Sequence, residues 1–167
     1  MVAILKKEIN LLFSSLIAYI SMAVFFIVLA LNLFIFQGNI LDSNYATLDT
    51  FFTLSPWILI FLIPAITMRT FADEKQTGTI EFLTTKPITD FQIVMGKYLA
   101  ALLLWFLTFL PTIIYFVCVK KLSLTEAPID SGATYGSYIG LFFLGAVFVA
   151  VGIFSSAITN NQIVAFL

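Results

Sequence analysis

Four long runs of this chain contain no Asp, Glu, Lys or Arg: residues 11–36, 50–68, 98–119 and 134–157. A helix needs about 20 apolar residues to cross the hydrocarbon of a bilayer, and each run is of that order. With no water in the bilayer core, every backbone N–H and C=O must be satisfied internally, which an α-helix does within one segment. Composition agrees, at 61% hydrophobic and 10% charged, where soluble domains carry about 25% charged residues. The sequence therefore predicts an all-α, polytopic membrane helix bundle with four complete spans.

The segments between the spans are polar and short, with one exception. Residues 1–10 form an amphipathic start. Val2, Ile4, Leu5 and Ile9 line one broad face, and Lys6, Lys7 and Glu8 are expected to turn to water. This reads either as an interfacial helix or as a helix end with flanking charge. The second span carries Pro56 and Pro64, and the third carries Pro111. Each frees a carbonyl that a neighbouring helix can satisfy. Gly132, Gly136 and Gly140, at four-residue spacing, predict a face on which another helix packs closely. After a polar turn at Ser155–Gln162, residues 163–167 begin a further apolar run. It reads as the start of a fifth span, so the chain is expected to be a fragment or to be truncated within that helix.

Several chemistries are excluded by what is missing. The chain has no His, one Cys and a formal net charge of −1, so a thiolate metal cluster, an internal disulfide and nucleic-acid binding are not expected. Gly96-Lys97 resembles the end of a P-loop, but Phe91 stands where its first glycine belongs and Tyr98 where Ser or Thr belongs. No ionisable residue is expected at membrane depth, which argues against a self-powered, proton-coupled transporter. Glu74 and Glu81 stand seven residues apart, about 10 Å along a helix, and read as a solvated face rather than an acid pair. No catalytic, cofactor-binding or metal-binding residue is predicted.

The exceptional connection is residues 69–97, which hold four of the eight basic residues and four of the nine acids. Basic residues near span ends concentrate in the cytoplasm. With the N-terminus inside, the inner segments carry six Lys and Arg against two, Lys120 and Lys121, outside. The segment is therefore expected to be cytoplasmic. Thr70-x-x-Asp73 suggests a capped helix start, Gly78 a break, Thr79–Thr84 a second short helix ended by Pro87, and Thr89-x-x-Gln92 a capping box opening a helix that runs into the third span. A short rigid helix joined directly to two spans is a lever.

The run Phe71–Ile88, FADEKQTGTIEFLTTKPI, resembles the E-x-x-x-G-T-x-E-x-L-x-T-x-P signature of ABC-2 type transporter permeases. The run Val94–Ala100 resembles that family's entry into its third helix, and Ser155–Gln162 its link between helices four and five. Within the family the chain is most similar to the gliding-motility-associated permease subunit of Bacteroidetes-type bacteria. The resemblance implies a six-helix fold with an interfacial N-terminal helix, in the bacterial inner membrane with the N-terminus cytoplasmic. It implies a permease without a cofactor of its own, ATP being bound by a partner ABC ATP-binding subunit, and a second permease subunit in a homo- or heterodimer surrounded by membrane lipid. Position by position, Glu74, Gly78, Thr79, Glu81, Leu83 and Pro87 match the motif and are expected to couple to the ATPase. The competing reading is a non-transporting scaffold or anchor of a multiprotein machine.

Overall fold

The computed structural model describes residues 2–36, 40, 47–81, 89–123 and 129–166. Among these, every regular element is helical. Helix α1 covers Val2–Ser14, α2 Leu16–Phe34, α3 Asp49–Thr67, α4 Arg69–Gln76 and α5 Asp90–Phe109. A 3-10 turn at Leu110–Thr112 leads into α6, Ile113–Leu122, followed by α7, Ser131–Ile158, and a one-turn α8, Gln162–Phe166. Four helical stretches are long and apolar enough to cross a membrane: α2, α3 with α4, α5 with α6, and α7. This is the polytopic helical bundle expected from the uncharged runs.

Each spanning helix buries a single stripe at helical spacing. In α2 it runs Ala18, Ser21, Phe25, Leu29, Leu33, and in α7 Thr134, Tyr138, Leu141, Gly145, Val149, Ile153, Ser156. The other faces are equally apolar and stay exposed: Trp57, Phe61, Phe143, Val147, Val151 and Phe154 are all more than half accessible. A helix that is hydrophobic all round is stable with such faces out only in lipid. The most extensive packing is α3 on α7, then α1 on α5 and α2 on α3. Trp105, fully buried, sits at the centre, 5.8 Å edge-to-face from Phe25 and with its indole N–H donating to the Phe142 carbonyl.

Three prolines lie within the spanning stretches. Pro56 and Pro64 lie inside α3 without ending it. Pro111 converts the middle of the third span to a 3-10 turn, and the Tyr138 hydroxyl donates to the nearby Thr112 carbonyl at 2.9 Å.

Close approach falls on glycines other than those singled out. No atom lies within 4 Å of where a Cβ would sit on Gly136 or Gly140, and Gly132 meets only the Asp130 carboxylate. All three are exposed. Inside the bundle, a Cβ on Gly145 would collide with the Trp105 indole, and one on Gly152 with the Thr67 hydroxyl. Overpacking a filled interior costs about 1–3 kcal/mol or more. Gly145→Val and Gly152→Val should each lower the thermal midpoint of the detergent-solubilised protein, while Gly136→Ala should leave it unchanged. Melting followed by intrinsic Trp fluorescence reads the difference.

Candidate functional site

The polar groups of this chain converge where α1, α4 and the start of α5 meet. Helix α1 lies against α5 because Gly96 leaves room for it: a Cβ there would stand 2.9 Å from Ile4 Cγ2. One turn on from Ile4, Glu8 points the same way and is buried. One turn on from Ile93, Lys97 continues the buried stripe of α5, its side chain only 1% exposed. Lys97 Nζ donates to Glu8 Oε1 at 3.0 Å and to the Thr70 carbonyl, and the Phe71 ring centroid lies 4.8 Å away. Glu74 Oε2 lies 2.8 Å from the same ammonium as an ion-pair contact, off the direction of a hydrogen bond. Glu74 Oε1 accepts from Lys7 Nζ at 2.7 Å, and Lys7 also stands 3.8 Å from Glu8.

Two cations and two anions thus cancel in a pocket where an unpaired ammonium would be prohibitive. Desolvation costs several kcal/mol per ion and is repaid only by close, hydrogen-bonded partners. Partial burial pulls the Lys7 pKa down, but its hydrogen bond to Glu74 and the charges of Glu74 and Glu8 outweigh this and raise it above the ordinary lysine value. The contribution of Lys7 is therefore complete at neutral pH and is lost only as alkaline pH passes that raised value.

Two expectations are corrected here. Glu8 does not turn to water, because Lys97 needs it. Nor does Glu74 stand on a solvated face: its carboxylate is held between Lys7 and Lys97.

Helix α4 is tied just as firmly to the end of α7. The Ser156 hydroxyl donates to the Met68 carbonyl at 2.9 Å and accepts from the amides of Phe71 and Ala72 at 3.0 and 3.1 Å. One side chain from the fourth span is thereby inserted in the α3–α4 junction, a recognised way to interrupt a helical ladder. Lys75 donates to the Ala157 carbonyl, and Gln162 Nε2 to Asp73 Oδ1 at 2.8 Å. Thr70 does not cap a helix start. Its hydroxyl donates back to the Thr67 carbonyl at 2.6 Å, because α3 passes into α4 through a single residue, Met68. Thr89 takes the N-cap position of α5 with extended backbone but makes no side-chain capping bond.

A family model described as ABC-2 family transporter protein matches residues 39–167, well over half of the chain. The protein belongs to this family. It is a multi-pass membrane protein and a permease subunit of an ABC transporter. ABC-2 membrane proteins are permease components that pair with an ATP-binding subunit, where the ATPase resides. No curated protein and no solved structure matches the chain.

In the permease, the signature residues sit on and just beyond α4. Glu74 is the anion shared by Lys7 and Lys97. Gly78 adopts φ +70, the left-handed conformation that closes helices, and its amide donates to the Lys75 carbonyl at 3.2 Å. The Thr77 hydroxyl donates to the Asp73 carbonyl at 2.8 Å and that of Thr79 to the Glu74 carbonyl at 3.3 Å. The Gly-Thr of the motif is thus a helix stop, as the break expected at Gly78 requires. Helix resumes at Ile80 and Glu81, with Glu81 exposed. Leu83 and Pro87 lie outside the described residues, as does the second half of the short helix expected at Thr79–Thr84.

Glu8, Lys97 and Ser156 were not among the residues singled out from sequence. Their signal is that each is a polar residue lying in register with a buried apolar stripe.

Removing one partner of a buried charge pair typically costs about 3–5 kcal/mol. Lys97→Met should therefore destabilise the permease strongly, and Lys97→Met with Glu8→Gln should cost less than the sum of the two single changes. A double-mutant cycle on detergent melting midpoints measures that coupling. Ser156→Ala leaves buried backbone groups unsatisfied, at about 1–3 kcal/mol, and should speed hydrogen exchange at Phe71 and Ala72.

Proposed function

We propose that this permease converts ATP hydrolysis in a separate subunit into movement of its spans through the segment that begins with α4. The observation that carries the reading is the double anchorage of α4. One side is bound to α1 and α5 through Glu74, the other to α7 and α8 through Ser156, Lys75 and Gln162. A displacement of α4 cannot be absorbed locally, because it must drag the third span, the fourth span or both. The exposed turn at Thr77–Thr79 and Glu81 lie beyond that anchored helix, where a docking ATPase would push.

In this reading the N-terminus and residues 69–97 face the cytoplasm, consistent with six basic residues on that side against two. The ATP-binding subunit contacts Gly78, Thr79, Glu81, Leu83 and Pro87, while Glu74 holds the lever to its base. The permease binds no cofactor itself, and a second permease subunit, identical or not, completes the transporter. Its exposed face at Gly132, Gly136 and Gly140 is open to such a neighbour. The resemblance to gliding-associated permeases supports export, or the powering of a gliding or secretion process, as the output.

Proline at position 78 is incompatible with a φ of +70. Gly78→Pro and Glu81→Lys should each abolish most of the permease-dependent stimulation of ATPase activity in proteoliposomes, while insertion and yield stay normal. Unchanged stimulation in both variants would count against coupling through this segment and favour a static scaffold. A nucleotide-dependent change in the distance between spin labels on α4 and the outer end of α7 provides the complementary measurement.

A further inference from the structure

A cavity of about 560 Å³ opens between the α1–α2 elbow and the α3–α4 junction. Its lining is divided. Leu12, Ile17 and Ile66 form an apolar floor, and Arg69, Asp73 and Glu74 of α4 form a charged rim. The elbow lies at Ser15, where the short α1 turns into the first apolar helix, and amphipathic helices of that kind lie in the plane of lipid headgroups.

One feature of the rim is not explained by the fold. The Arg69 side chain makes no hydrogen bond or ion pair among the described residues, although it stands four positions from Asp73 on the same helix. Such neighbours have Cβ atoms about 5–6 Å apart. Asp73 spends only Oδ1, on Gln162, whereas both Glu74 oxygens are held by Lys7 and Lys97. The rim therefore offers one uncommitted guanidinium beside one uncommitted carboxylate oxygen, above an apolar slot.

We infer that this cavity binds a glycerophospholipid with a primary-ammonium zwitterionic headgroup, a phosphatidylethanolamine. Its phosphate lies on Arg69, its ammonium donates to the second carboxylate oxygen of Asp73, and an acyl chain follows Leu12, Ile17 and Ile66. The charge pattern selects among lipids. A phosphatidylglycerol brings the phosphate but meets Asp73 with no cation. A phosphatidylcholine brings the cation but has no N–H to give Asp73. A bound lipid would join α4 to the α1–α2 elbow, so bilayer composition would set the stiffness of the segment. The inference does not depend on the transport reading, since lipid binding needs neither nucleotide nor ATPase.

The test uses the full-length protein, delipidated in detergent, with dioleoyl phosphatidylethanolamine, phosphatidylcholine or phosphatidylglycerol added in mixed micelles. At a hundredfold excess over the dissociation constant, phosphatidylethanolamine should raise the melting midpoint by roughly 5 °C or more, and the other two by clearly less. Arg69→Gln should remove the increment while leaving the lipid-free midpoint unchanged, and Lys6→Gln, on the exposed side of α1, should leave the increment intact. Native mass spectrometry of the unmodified protein should retain one phosphatidylethanolamine in preference to the other two. Equal shifts with all three lipids, no shift with any, a preference for phosphatidylglycerol, or an increment that survives in Arg69→Gln would each overturn the assignment.

Discussion

An ammonium group buried to 1% exposure must be neutralised where it lies, and Lys97 imposes that requirement on three helices at once. Its partners come from α1 (Glu8) and from α4 (Glu74 and the Thr70 carbonyl), 89, 23 and 27 residues away in the chain. In lipid, where apolar faces gain little by meeting one another, such polar contacts and close packing decide which helices associate. The short amphipathic α1 would otherwise be free to lie anywhere in the interface. Glu8 fixes it on α5, and Gly96 gives it the space.

The same logic repeats on the other side of α4. The Ser156 hydroxyl fills the gap in the backbone ladder at Met68, so that the helix entering from the second span is interrupted but not loosened. Gly152, one turn earlier on α7, lets the Thr67 end of α3 come close enough for that contact. Charge on one flank and hydroxyl-to-backbone bonds on the other make α4 a rigid bracket between spans. Beyond it, the Thr77–Thr79 turn and the cap at Gly78 release the chain outward. Rigidity before the cap and exposure after it are what a segment needs if it is to receive force and pass it on.

The four spans, their order and the unusual character of residues 69–97 were legible in the sequence, because hydropathy is a local, additive property and 19 to 26 uncharged residues in a row leave one solution. The helix break at Gly78 was legible for a similarly local reason: glycine alone tolerates φ +70 without cost. The capping role assigned to Thr70 failed because a cap presupposes a free helix start, and α3 runs into α4 with almost no interruption. Close approach within the bundle falls on Gly145 and Gly152 rather than on Gly132, Gly136 and Gly140, because spacing says which residues share a face, not which face meets a neighbour.

Composition and pattern by themselves determined that this chain spans a membrane as a helical bundle and carries one polar segment, residues 69–97, unlike its other connections. What only the tertiary structure decided is which polar residues hold that segment. Glu8 and Lys97 look like flanking charges until α1 folds back on α5, and Ser156 looks like part of a turn until α7 meets the α3–α4 junction. The physical reason is that a span is defined by residues adjacent in the chain, whereas a buried ion pair or an inserted hydroxyl is defined by groups brought within about 3 Å of each other, and that distance exists only in the packed bundle.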